Sequence, residues 1–165
     1  MKETDEYLER VALRVGRHLL ATGRYAATAE SCTGGWIAKV LTDIAGSSQW
    51  FVEGFVTYGN ATKRRRLGVP QSLLITDGAV SESVACAMAL GALSRSSAQM
   101  AVAVTGIAGP GGAVPGKRVG TVWLAWAVER GHQTRVTAER RYFKGDREAV
   151  RRKSVRAALE GMLIR

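Results

Sequence analysis

Residues 28–36 read Thr-Ala-Glu-Ser-Cys-Thr-Gly-Gly-Trp and place three candidate nucleophiles, Ser31, Cys32 and Thr33, directly ahead of Gly34 and Gly35. The stretch before them is short and apolar, as a buried strand is, and the stretch after them suits a helix, so these side chains fall where a strand turns into a helix. A serine at a strand end faces the mouth of the sheet, but its hydroxyl is a poor nucleophile without a base. The two histidines, His18 and His132, are isolated and sit in no comparable motif. Lysine can take the role when its amine is neutral, as in serine–lysine dyads. Lys63 follows a second β-rich stretch that ends in Tyr58-Gly59-Asn60. If the two strands are neighbours, Ser31 and Lys63 meet at one edge, and like-charge repulsion from Arg64, Arg65 and Arg66 would depress the lysine pKa. A plainer account stays open: Ser31 and Thr33 as helix caps, Cys32 as a small buried apolar residue and Lys63 as an exposed cation.

A second candidate lies in the glycine-rich segment 106–120. Gly111, Gly116 and Lys117 match the spacing of a phosphate-binding loop, but Arg118 stands where that loop needs Ser or Thr for magnesium. Residues 119–123 also read as a strand, where such a loop would open a helix. Thr105 and Gly106 follow directly on an apolar run, and ligands of open α/β sheets gather beyond the carboxyl ends of strands. Glycines there either expose backbone N–H groups to phosphate or an oxyanion, or serve only the backbone angles of a loop.

The elements that must position these residues follow from periodicity. Residues 3–22 form an amphipathic helix with Tyr7, Val11, Val15 and Leu19 four apart, closed by Gly23. Strands are expected over 25–30, 51–58, 100–104 and 121–128, with 134–142 as the hairpin partner of the last across Gly131-His132. Helices are expected over 36–42, over 84–93 behind a Ser81 cap, and over 146–163 behind an Asp146 cap. Residues 60–68 read as a basic loop with a helical turn, and Val69-Pro70 starts a further short segment. The expected fold is a single-domain α/β protein over residues 1–165, a three-layer α/β/α arrangement with a mixed sheet covered by helices.

Composition narrows the classes. The chain has 165 residues, enough to bury a core, and 46% of them are hydrophobic. No apolar run nears the roughly 20 residues that span a bilayer, and the acidic stretch at residues 1–6 is unlike a signal peptide, so a cytoplasmic protein without a membrane role is expected. Cys32 and Cys86 form no disulfide framework and no metal-ligand spacing, so no metal is expected. A net charge of +10 favours an anionic partner, either a phosphorylated small molecule or nucleic acid. Nucleic acid is the weaker of the two: aromatics are only 7%, and no recognition motif is present. A non-catalytic nucleotide- or nucleic-acid-binding protein remains the alternative to an enzyme.

Taken together, Ser-Cys-Thr-Gly-Gly, Tyr-x-Asn-x-x-Lys, Thr-Gly-Ile-Ala-Gly-Pro-Gly-Gly and Gly-Asp-Arg occur in order across nearly the whole chain. The chain resembles the C-terminal domain of the competence/damage-inducible protein CinA. That family includes nicotinamide mononucleotide amidohydrolases, which release ammonia and nicotinate mononucleotide and return the pyridine nucleotide toward NAD. The resemblance implies Ser31 as nucleophile, Lys63 as base and Tyr58 as the residue that closes on the substrate. It implies further substrate contacts at Asn60, Thr105, Gly106 and Arg147, and oxyanion donors among the backbone N–H groups of Cys32, Thr33, Gly34 and Gly35. It implies no cofactor and a homodimer; Trp123 and Trp126, whose odd spacing puts one on each face of a strand, are candidates for its interface or for the core. Longer relatives carry a further N-terminal domain, whose separate activity is not expected here.

Overall fold

A computed structural model describes residues 4–165. The elements run α1 (Asp5–Thr22), β1 (Ala26–Glu30), α2 (Trp36–Thr42), a 3-10 turn (Ser47–Gln49), β2 (Phe51–Val56), α3 (Asn60–Leu67), α4 (Gln71–Thr76), α5 (Glu82–Arg95), β3 (Met100–Gly106), β4 (Thr121–Arg130), β5 (Gln133–Tyr142) and α6 (Arg147–Met162). The strands form one mixed sheet in the order β2-β1-β3-β4-β5. β1 is parallel to both β2 and β3, and β3, β4 and β5 are successively antiparallel. All five residues of β1 are buried, as a strand parallel to two neighbours requires.

The alternation of side-chain size along the central strands decides what covers each face. In β3 and β4, Met100, Val102, Val104, Leu124, Trp126 and Val128 join the core under α1, α2 and α6. Ala101, Ala103, Ala125 and Ala127 point the other way, onto α5. Small residues on that face let α5 lie close, and α5 answers with Ala85, Ala89 and Ala92. Trp123 and Trp126, three apart, accordingly face opposite layers. Trp126 is a core residue: it is 1% exposed, and its indole N–H donates to Ala158 O at 3.0 Å.

The three expected layers are present, and the caps stand where the sequence places them. Ser81 accepts from Val84 N and Asp146 from Ala149 N, each interaction contributing about 1 kcal/mol. One correction concerns the basic segment. Residues 60–68, read as a loop with a helical turn, are the full helix α3, ended by Gly68. The segment after Val69-Pro70 is a second short helix, α4. The first helix begins at Asp5 behind a Thr4 cap, and its expected start at Glu3 lies outside the described residues, as does part of the acidic stretch 1–6. The segment at residues 111–118 opens no helix. Val114 and Lys117 pair across a tight turn, and Lys117 Nζ donates to Asp77 O, so the phosphate-loop reading is excluded.

Candidate active site

β1 and β2 end side by side, and the chain leaves both in the same direction. β1 runs into the turn at residues 31–35, held in line by Ser31 N donating to Val104 O at 3.0 Å. β2 runs through Thr57 and Tyr58 into α3, with Thr57 N donating to Glu30 O at 2.9 Å. One turn into α3, Lys63 points back beneath the strand ends and is only 1% exposed. Its Nζ lies 3.0 Å from Ser31 Oγ, 2.9 Å from Thr57 O and 3.0 Å from Tyr58 O. No carboxylate is among these three partners.

Burial of the ammonium lowers the Lys63 pKa from 10.5 to about 8. The cause differs from the sequence expectation. Arg64, Arg65 and Arg66 are exposed, and desolvation rather than their charge is responsible. Burial acts on Cys32 in the opposite sense, pushing its thiol up to about 12. Cys32 is 5% exposed and belongs to the hydrophobic core, and of the two adjacent candidates it is the serine that is hydrogen-bonded to Lys63.

Ser31, Cys32, Tyr58, Asn60, Lys63, Thr105, Gly106 and Arg147 all line one cleft of about 190 Å3. Tyr58, 58% exposed, stands at its rim. Arg147, the first residue of α6, donates to Tyr58 Oη at 2.8 Å and to Gly109 O at 2.7 Å, so it ties the rim to the glycine-rich loop. Thr105 donates its hydroxyl to Ala79 O at 2.8 Å. Thr33, Gly34 and Gly35 are not brought into this cleft. They line a separate depression of about 660 Å3 on the other side of the turn, with Trp36, Arg151 and Arg152. Gly34 and Gly35 have φ of 62° and 95°, and this left-handed backbone explains their identity without a ligand. Their amides are engaged within the turn, Gly34 N with Ser31 O at 3.0 Å and Gly35 N with a Glu30 carboxylate oxygen at 3.1 Å.

Two residues that sequence reasoning missed organise the turn. Glu30 is fully buried, and its carboxylate accepts from the Thr33 hydroxyl at 2.6 Å and from Gly35 N, Ile37 N and Ala38 N at 3.1, 3.0 and 2.8 Å. It neutralises the N-terminal donors of α2 in place of a conventional cap. The available signal was a carboxylate ending an otherwise small and apolar strand, Ala-Ala-Thr-Ala-Glu. Arg151 donates to Cys32 O at 3.1 Å and Thr33 O at 3.0 Å, and its guanidinium lies 5.2 Å from the Trp36 ring centre. Nothing in its arginine-rich surroundings singles it out in the sequence.

A family model for the CinA C-terminal domain matches residues 8–164. The chain belongs to the CinA C-terminal domain family. This CinA-family chain is 56% identical over 153 residues to the nicotinamide-nucleotide amidohydrolase PncC of Pseudomonas putida, covering 93% of both chains. It is 51% identical over 157 residues to the protein of the same name in Escherichia coli strain K12, covering 95% of this chain and 93% of that one. The crystal structure of the competence damage-inducible protein A of Klebsiella pneumoniae superposes with a TM-score of 0.90 at 38% identity over 96% of both chains. Identity of this extent to two amidohydrolases makes the CinA-family chain an amidohydrolase. Among the described residues, no helix is long and apolar enough to cross a membrane, and no group of three or more His, Cys, Asp or Glu is placed to hold a metal ion.

Proposed function

We propose that this chain hydrolyses the carboxamide of nicotinamide mononucleotide to nicotinate mononucleotide and ammonia, with Ser31 as nucleophile and Lys63 as general base. The observation that carries the reading is a buried lysine amine 3.0 Å from a serine hydroxyl, with two backbone carbonyls as its other partners. A neutral amine has two N–H bonds and one lone pair. When Thr57 O and Tyr58 O accept the two N–H bonds, the lone pair faces the Ser31 hydroxyl. With a pKa of about 8, roughly one lysine in ten is neutral at pH 7.

Ser31 Oγ attacks the carboxamide carbon as its proton passes to Lys63 Nζ. The tetrahedral oxyanion is met by the backbone N–H of Cys32, which lines the cleft, and by that of Thr33, whose side chain lies behind the turn while its N–H precedes it, since those of Gly34 and Gly35 are engaged within the turn. Lys63 then gives its proton to the amide nitrogen as the C–N bond breaks. Ammonia leaves, and the acyl group remains as an ester on Ser31. Water, deprotonated by the same amine, attacks this ester, releases nicotinate mononucleotide and restores the hydroxyl.

The cleft of about 190 Å3 is smaller than the roughly 300–1,000 Å3 usual for small-molecule sites. It therefore takes the pyridine carboxamide, between Asn60, Thr105 and Gly106, and leaves the ribose phosphate at the rim. Tyr58 closes there, and Arg147 has further guanidinium N–H groups to offer the phosphate beyond those given to Tyr58 and Gly109. The reading includes a homodimeric enzyme acting in the cytoplasm to return pyridine nucleotide toward NAD. Ammonia release from nicotinamide mononucleotide tests it. Ser31→Ala is expected to lower kcat by at least roughly 10^3-fold, and wild-type turnover in that variant overturns the reading.

A further inference from the structure

We infer that Arg151 is a positioning residue that aims the oxyanion-binding amides of the nucleophile turn. The inference rests on the serine–lysine reading above.

A trans peptide is a rigid plane in which the C=O and N–H point in opposite directions, so fixing one fixes the other. Arg151 takes the carbonyl of Cys32 at 3.1 Å and that of Thr33 at 3.0 Å. The first contact turns the following amide, Thr33 N–H, away from Arg151. The second does the same to Gly34 N–H, which then donates to Ser31 O at 3.0 Å. That bond in turn fixes the peptide between Ser31 and Cys32, and hence the direction of Cys32 N–H. The guanidinium thus sets Thr33 N–H directly, and it sets Cys32 N–H through the Gly34–Ser31 bond together with Trp36 N, which also donates to Thr33 O at 3.2 Å.

The location agrees with this role. Arg151 lines the depression behind the turn with Thr33 and Gly34, whereas Ser31 and Cys32 line the cleft in front of it. Carbonyls drawn to the back leave N–H groups for the front. A reversed peptide would put a carbonyl oxygen where negative charge develops. Glu30 completes the arrangement by holding donors of the same turn, the Thr33 hydroxyl and Gly35 N. The planar fork of arginine suits two successive carbonyls, which a lysine ammonium cannot grip with the same geometry.

The test is steady-state hydrolysis of nicotinamide mononucleotide by Arg151→Gln and Arg151→Lys, with thermal unfolding of each and Ser31→Ala alongside. Losing an oxyanion donor lowers kcat by about 10^2–10^3-fold. Arg151→Gln is expected to fall by about 10^2-fold in kcat, with KM within about threefold of wild type and the midpoint of the pH–rate profile still near that of wild type. Arg151→Lys, which keeps one contact, recovers part of the loss. A folded Arg151→Gln with kcat within about threefold of wild type overturns the inference. So does a loss that appears in KM or as a displaced pH midpoint, since either means that the substrate pocket or the dyad was disturbed. If Arg151→Gln does not fold, Arg151→Lys decides by the same measures. Full activity in Ser31→Ala instead refutes the underlying mechanism, whatever Arg151 does.

Discussion

Ser31 Oγ and Lys63 Nζ lie 3.0 Å apart across 32 residues of sequence because β1 and β2 are parallel neighbours that end level with each other. The register pairs Glu30 with Val56, the last residue of each strand. The residue after Glu30 is Ser31, the proposed nucleophile, and the two residues after Val56 supply the carbonyls that hold the lysine. The lysine therefore brings its own cradle from the chain just upstream of it.

Activity should follow deprotonation of Lys63. Its pKa is lowered by burial to about 8, and the proposed mechanism uses the neutral amine. Below that value kcat/KM should fall about tenfold per pH unit, and above it should level off. A pH–rate profile of the wild-type protein measures this directly. A rate that declines as pH rises through 8 would assign the opposite protonation state to the reactive lysine.

Cys32 should be dispensable for chemistry. With its pKa pushed up to about 12 by burial, it is a protonated thiol throughout the neutral range. Cys32→Ala should keep kcat within about fivefold and cost about 1 kcal/mol of stability through lost packing. Iodoacetamide should leave the folded protein active. A folded but inactive Cys32→Ala would return the nucleophile to the thiol.

Glu30→Ala should be among the most damaging single changes. It removes the acceptor for three backbone amides, Gly35, Ile37 and Ala38, at about 1–3 kcal/mol for each group left buried and unpaired. Chemical denaturation should show a loss of at least about 3 kcal/mol. Glu30→Gln keeps an acceptor oxygen and should lose less. Equal stability of Glu30→Ala and wild type would show that water replaces the carboxylate.

Gly91 sits in α5 where α3 crosses, and a Cβ there would stand 2.0 Å from Leu67 O. Gly91→Ala should push the end of α3 outward, destabilise by about 1–3 kcal/mol and slow turnover, because the same helix carries Lys63. Gly111→Ala, with open space at its Cβ, is the control and should be neutral or slightly stabilising. Unfolding midpoints and kcat of the two variants make the comparison.

The parts of this molecule that were legible in the sequence are those written by local rules. Apolar runs marked β1, β3 and β4, while Ser81 and Asp146 marked the starts of α5 and α6. Ser31 and Lys63 were legible as a pair only on the assumption that their strands are adjacent. α3 was not, because Asn-Ala-Thr-Lys-Arg-Arg-Arg-Leu has no apolar stripe and buries only Lys63 and Leu67. A buried lysine inside a basic run looks like its exposed neighbours until the tertiary structure is known. For the same reason the sequence points to the nearby arginines as the cause of a lowered pKa, whereas the cause is removal from water. Glu30 and Arg151 act through backbone atoms of the turn, Glu30 on residues as far as Ala38 and Arg151 from 119 residues downstream of Cys32. No pattern in side-chain types records such contacts.

α6 holds both sides of the candidate site at once. Arg147 reaches the rim of the cleft, and Arg151, one helical turn on and roughly 6 Å along the axis, reaches the back of the nucleophile turn. Near its far end the helix is seated on Trp126, where Gly161 leaves no room for a Cβ. Because a helix moves as a rod, a bulkier residue at 161 would displace both arginines together. A mutational survey would then score a position buried at the opposite end of the domain as though it touched the substrate, and the error would lie in reading a lever as a contact.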